Sequence, residues 1–129
     1  MAELKGFYMT RRISRVLLGL QLLALLVGTQ MPGAWRSGAV QTLHAPSWVS
    51  SLAHFVLFAG MAVVLAARPL AWPMARIVLA ALALALLSEG LQFFAIERHP
   101  RLLDVGIDMA GTVLALALVK GRRICIARA

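Results

Sequence analysis

Cut at its charges and prolines, the 129-residue chain falls into four apolar stretches: Ile13 to Met31, Trp48 to Ala67, Met74 to Ile96 and Leu102 to Val119. A helix rises about 1.5 Å per residue, so about 20 residues match a hydrocarbon core about 30 Å thick. Each stretch is therefore long enough to span. In lipid, backbone polar groups must be satisfied within the segment, which selects helix. The pattern predicts an all-α membrane protein, a four-helix transmembrane bundle forming one domain over residues 1–129. The fourth stretch is the shortest and opens with acids, so it is expected to reach full depth only with neighbours around it. Gly33, Gly38 and Pro46 mark Pro32 to Ser47 as a connecting loop, and Arg68-Pro69 and Trp72-Pro73 mark a short turn on the opposite side. The alternation Ala80-Ala81-Leu82-Ala83-Leu84-Ala85 supplies the small residues that let membrane helices approach closely.

Composition agrees: 61% of residues are hydrophobic and the mean hydropathy is +0.85, far above a soluble domain. The net charge of +8 would invite a nucleic-acid reading on a soluble protein, but here the charges flank apolar runs. No nucleic-acid partner is expected. Ten of the thirteen basic residues fall on one side: Lys5, Arg11, Arg12 and Arg15 before the first run, Arg68 and Arg76 between the second and third, and Lys120, Arg122, Arg123 and Arg128 after the fourth. Arg36, Arg98 and Arg101 fall on the other. The positive-inside rule then places both termini in the cytoplasm. Trp35, Trp48 and Trp72 stand at run boundaries, where an indole buries its ring and keeps its N–H wet. The first run, basic at its start and leucine-rich within, also has the form of a secretory signal peptide. Pro32 and Ala34 make a poor cleavage site, so it is read as a retained helix. The single cysteine, Cys125, excludes an intrachain disulfide and lies in the basic tail, where it is a spectator thiol or an S-acylation site.

Ionisable groups inside membrane helices cost at least a few kcal/mol each on insertion scales, so each asks for a partner or a function. His54 lies in the second run, Glu89 and Gln92 in the third, and Asp104 and Asp108 at the head of the fourth. Glu89 and Gln92 are three residues apart and Asp104 and Asp108 four, so each pair shares a helix face. The second face continues through Gly111 and Ala115, acidic at one end and small below. With the termini inside, all five polar residues lie in the outer half of the bilayer, and Arg98 and Arg101 are placed to neutralise the acids from above. Such residues also serve as interhelical hydrogen-bonding groups, worth about 0.6 kcal/mol on average, but three acids with His, Gln and Arg at one depth exceed that need. Phe55 and Phe58 flank His54 as packing residues, and Phe58, one turn on, is placed to line the same cavity. Glu97, His99 and Pro100 read as solvated loop. With one histidine in a helix and no ligand-spaced pair, neither a metal site nor a cofactor is expected.

These residues resemble the VanZ-like membrane proteins, a family named for a protein linked to low-level resistance to the glycopeptide teicoplanin. The resemblance rests on His54-Phe55-Val56-Leu57-Phe58, then Glu89-Gly90-Leu91-Gln92, then Arg98, Asp104, Asp108 and Gly111, in order and at the family's spacing, over roughly the last two thirds of the chain. Ser50 and Ser51 replace an Asp-Lys pair often found before the histidine, and Asp108 replaces an Asn. The first change removes a cation that would help hold an anionic headgroup; the second adds a carboxylate. The resemblance implies a multi-pass protein of the bacterial cytoplasmic (inner) membrane acting in the cell envelope.

Three classes of function follow as expectations. One is a binding protein for a lipid-linked or amphiphilic envelope molecule, a cell-wall intermediate or a glycopeptide-type ligand. In it Arg98 holds phosphate or carboxylate, Gln92 and the acids hydrogen-bond sugar or amide groups, and Phe55 and Phe58 face acyl chains. A second is a membrane enzyme with His54 as the acid–base group and Glu89, Asp104 or Asp108 as carboxylates of the same catalytic set. The third is a proton-coupled carrier or a structural subunit, for which a homo-oligomer is expected because four short helices form only a small bundle.

Overall fold

A computed structural model describes residues 9–44, 46, 48–96 and 99–128. Lys5, Ser47, Glu97 and Arg98, which figure in the sequence reading, lie outside the described residues. The chain is all-helical, in the order α1 (Arg11–Gln30), α2 (Gly33–Thr42), α3 (Val49–Ala66), α4 (Met74–Gln92) and α5 (Leu102–Arg128). The described residues form no strand. Helices α1, α3, α4 and α5, of 20, 18, 19 and 27 residues, are each long and apolar enough to cross a membrane. The chain is a multi-pass membrane protein of up-and-down helices.

Local chemistry explains the element ends. Thr10 caps α1, its hydroxyl accepting from Ile13 N–H at 3.2 Å. Pro32 and Pro73 precede α2 and α4, where their fixed φ suits helix entry. Three boundaries differ from the sequence reading. The segment read as a loop contains α2, which starts directly after Pro32 and buries none of its residues. Neither a core-facing stripe nor an apolar run advertises it, while Gly33 and Gly38 imitate a loop. Among the described residues it packs no face on another helix and is held at two points, by Arg36 Nη2 donating to Ser50 Oγ and Gly33 N–H donating to Ile96 O at 3.2 Å. Helix α4 stops at Gln92 instead of Ile96, and residues 93–95 tighten into i→i+3 turns that swing the chain back toward α5. Helix α5 runs nine residues past Val119, because backbone hydrogen bonding continues once the side chains turn basic and Lys and Arg are good helix formers.

Packing centres on α3 and α5, the most extensive helix pair, with α4 next on α5. Helix α1 lies against α3 and α4 and makes no contact with α5 among the described residues. The α3–α5 seam is rich in alanine: Ala62 and Ala66 meet Ala115 and Leu116, with Ile77 of α4 completing the cluster. A Cβ on Gly111 would collide with the Phe55 carbonyl oxygen and sit 3.2 Å from its carbon, so the two backbones are as near as glycine allows. A second cluster joins Leu25, Phe58 and Ala85. At one end of the bundle Met9 N–H donates to Arg68 O at 3.0 Å, and Arg123 Nη2 donates to Ala66 O at 2.8 Å, meeting one of the last carbonyls of α3. The start of α3, the end of α4 and the start of α5 meet at the opposite end.

Candidate functional site

At that opposite end three helices bring their polar side chains together. His54, in the second turn of α3, reaches Asp108, in the second turn of α5, with Nδ1 3.0 Å from Oδ1. Asp108 is fully buried and the His54 side chain is 13% exposed. Thr112, also fully buried, turns its hydroxyl back to the Asp108 carbonyl at 3.0 Å. Asp108 Oδ2 is buried and has no hydrogen-bond partner among the described residues.

Glu89 and Gln92 occupy the last turn of α4, both buried. Gln92 Nε2 donates to Glu89 Oε1 at 2.9 Å, and Glu89 Oε2 accepts from Arg101 N–H at 2.7 Å. Arg101 immediately precedes α5, so the carboxylate sits at that helix's N-terminus, where unsatisfied N–H groups favour negative charge. This contact pins the end of α4 to the start of α5. Asp104, half-buried in the first turn of α5, lies within electrostatic reach of His54, Glu89 and Asp108 alike.

The structure therefore brings together His54, Glu89, Gln92, Asp104 and Asp108. Arg101 takes part through its backbone N–H, with its side chain exposed, and His99 is exposed. Phe55 is half-buried, its backbone against Gly111. Phe58 is 1% exposed, packed with Leu25 and Ala85 beneath the polar layer. Of the carboxylates, Asp108 is the one in contact with His54, while Glu89 is committed to Gln92 and Arg101. No group of three or more His, Cys, Asp or Glu has the arrangement of a metal site among the described residues.

Two amides on α1 escaped the sequence reading. Gln30, at the same end as the cluster, has a buried Nε2 without a partner among the described residues, and Gln21, at mid-helix, has a buried Oε1 in the same condition, with its Nε2 facing Gly60 of α3. The signal was available: a glutamine in an apolar run asks for a partner as an acid does. The chain matches no family model, no curated protein and no solved structure.

Proposed function

We propose that this chain is a protein of a bacterial cytoplasmic membrane, both termini in the cytoplasm, whose polar cluster binds an amphiphilic envelope molecule in the outer half of the bilayer. A lipid-linked cell-wall intermediate or a glycopeptide-type ligand fits the chemistry. The observation that carries this reading is Asp108: a fully buried carboxylate with one oxygen held by His54 and the other without a hydrogen-bond partner among the described residues. A buried acceptor left unmet costs about 1–3 kcal/mol or more if charged, and a sugar hydroxyl or amide N–H satisfies it. Arg98 supplies the cation for a phosphate or carboxylate, as the resemblance to the VanZ-like proteins implies. The test is binding of a polyprenyl-diphosphate-linked muropeptide, and separately of a lipoglycopeptide, to purified protein in nanodiscs. Binding is lost in Arg98→Ala and weakened about tenfold in Asp108→Ala; affinities equal to wild type for both variants would sink the proposal.

The His54–Asp108 contact favours a second reading, a membrane enzyme. A carboxylate on Nδ1 orients an imidazole and leaves Nε2 for proton transfer. In this reading Asp108 is the orienting group, with Glu89 and Asp104 shaping the field around it. Product analysis separates the two: membranes with wild-type or His54→Ala protein are incubated with labelled lipid-linked precursors. A product formed only by wild type establishes catalysis; identical profiles dismiss it for those substrates.

A further inference from the structure

The end of the bundle away from the polar cluster is built differently. Between α1, α3 and α4 lies a crevice of about 260 Å³ whose lining is wholly apolar, with Leu18 and Leu22 on one wall, Met61 on the second, Ile77 and Leu84 on the third, and Trp72 at its mouth. Its inner limit is Phe58, the residue that also floors the polar cluster. The two features share that one ring and face opposite ends of the molecule.

Cations on two of its walls, α1 and α4, stand in helical register with the lining. On α1, Arg11, Arg15, Leu18 and Leu22 are spaced four, three and four residues apart, so one helical stripe runs from charge into crevice. On α4, Arg76 lies one turn before Ala80, which lines the crevice. Its guanidinium carbon stands 4.8 Å from the centre of the Trp72 ring, close enough for a cation–π contact that holds the charge at the opening. Arg15 and Arg76 are exposed. The three described acids, Glu89, Asp104 and Asp108, all lie at the other end, so none of them competes for these cations.

We propose that this end carries a binding site for one anionic phospholipid, with an acyl chain in the crevice between α1, α3 and α4 and the phosphate between Arg15 and Arg76. A free anion would gain nothing from an apolar lining this deep. A helix from a second copy is about 10 Å across and needs a wider trough than about 260 Å³ offers. The volume falls just under the range of small-molecule sites, about 300–1,000 Å³, and suits a single chain. Basic pockets between transmembrane helices on the side facing anionic lipid are a known way of holding such headgroups. The site is independent of the proposed function of the polar cluster.

The test uses full-length protein purified in a non-ionic detergent, titrated with phosphatidylglycerol, phosphatidylcholine of the same chains and inorganic phosphate, with bound molecules counted by native mass spectrometry. Wild type takes up one phosphatidylglycerol in preference to phosphatidylcholine. Arg15→Gln and Arg76→Gln each weaken phosphatidylglycerol about fivefold, the effect of one cation at an anionic headgroup; Arg128→Gln, at the same end but far along α5, does not. Ala80→Phe, which fills the crevice, weakens both lipids, and inorganic phosphate does not displace them. Variants are compared only when their circular dichroism equals wild type, and the arginine series decides the matter if Ala80→Phe fails to fold. Equal affinity for the two lipids, an Arg128→Gln loss as large as that of Arg76→Gln, displacement by inorganic phosphate, or a protein dimer in place of bound lipid would each overturn the proposal.

Discussion

Gly111 decides how near α3 and α5 can come, and through that distance whether His54 reaches Asp108. A methyl at this position would strike backbone, the Phe55 carbonyl group, which cannot swing aside as a side chain would. Gly111→Ala is therefore expected to lower stability in detergent by about 1–3 kcal/mol, the usual range for overpacking. Gly106→Ala, whose added carbon meets no neighbouring atom within 4 Å, is neutral or stabilising by up to about 1 kcal/mol. Unfolding both variants in sodium dodecyl sulfate measures the contrast, and equal losses would remove the special role of Gly111. The His54–Asp108 contact itself can be isolated by a double-mutant cycle with His54→Ala and Asp108→Ala. A coupling of about 0.6–2 kcal/mol is expected, as for other intramembrane hydrogen bonds; zero coupling would mean the two side chains stand together without attraction. Helix geometry made it legible in advance that Glu89 shares a face with Gln92, and Asp104 with Asp108 and Gly111. Which acid meets His54 was not legible, because it depends on the rotation of α5 against α3, fixed where Gly111 seats on Phe55.

Among the elements, the four long helices could be read from the apolar runs because length and hydropathy are summed over many residues. Their ends could not, since they depend on single contacts: Glu89 drawing Arg101 back toward α4, and Arg123 reaching the Ala66 carbonyl. Arg123→Ala should cost about 0.5–1.5 kcal/mol, one hydrogen bond, and should speed amide exchange in the last turn of α3 and the 67–72 turn while leaving His54 and its neighbours protected. Uniform acceleration along α3 would contradict a local cap. Helix α2 was invisible to the pattern because it buries nothing. With two points of attachment and no packed face among the described residues, its amides should exchange well before those of α3 in the same preparation. Equal protection of α2 and α3 would show that α2 has a covering partner.

At the scale of the whole molecule, nine described cations gather at the end holding the start of α1 and the end of α5, and the three described acids gather at the other. Under the proposed orientation the cationic end faces the cytoplasm. The single cysteine, Cys125, is exposed on the extension of α5 and reports on this directly. In intact cells it should react with a membrane-permeant maleimide and resist an impermeant one; labelling by the impermeant reagent would invert the topology. The seam between α3 and α5 is fastened near both ends, at one by the His54–Asp108 contact with Gly111 seated on the Phe55 backbone within the same turn, and at the other by the Arg123 clasp. Two rods pinned near both ends resist sliding and swivelling, and so serve as a keel. If the proposed binding function holds, the rearrangement that admits a ligand to the buried carboxylate is expected of α4 or α1 swinging against that keel, and a crosslink that locks α3 to α5 should leave binding intact.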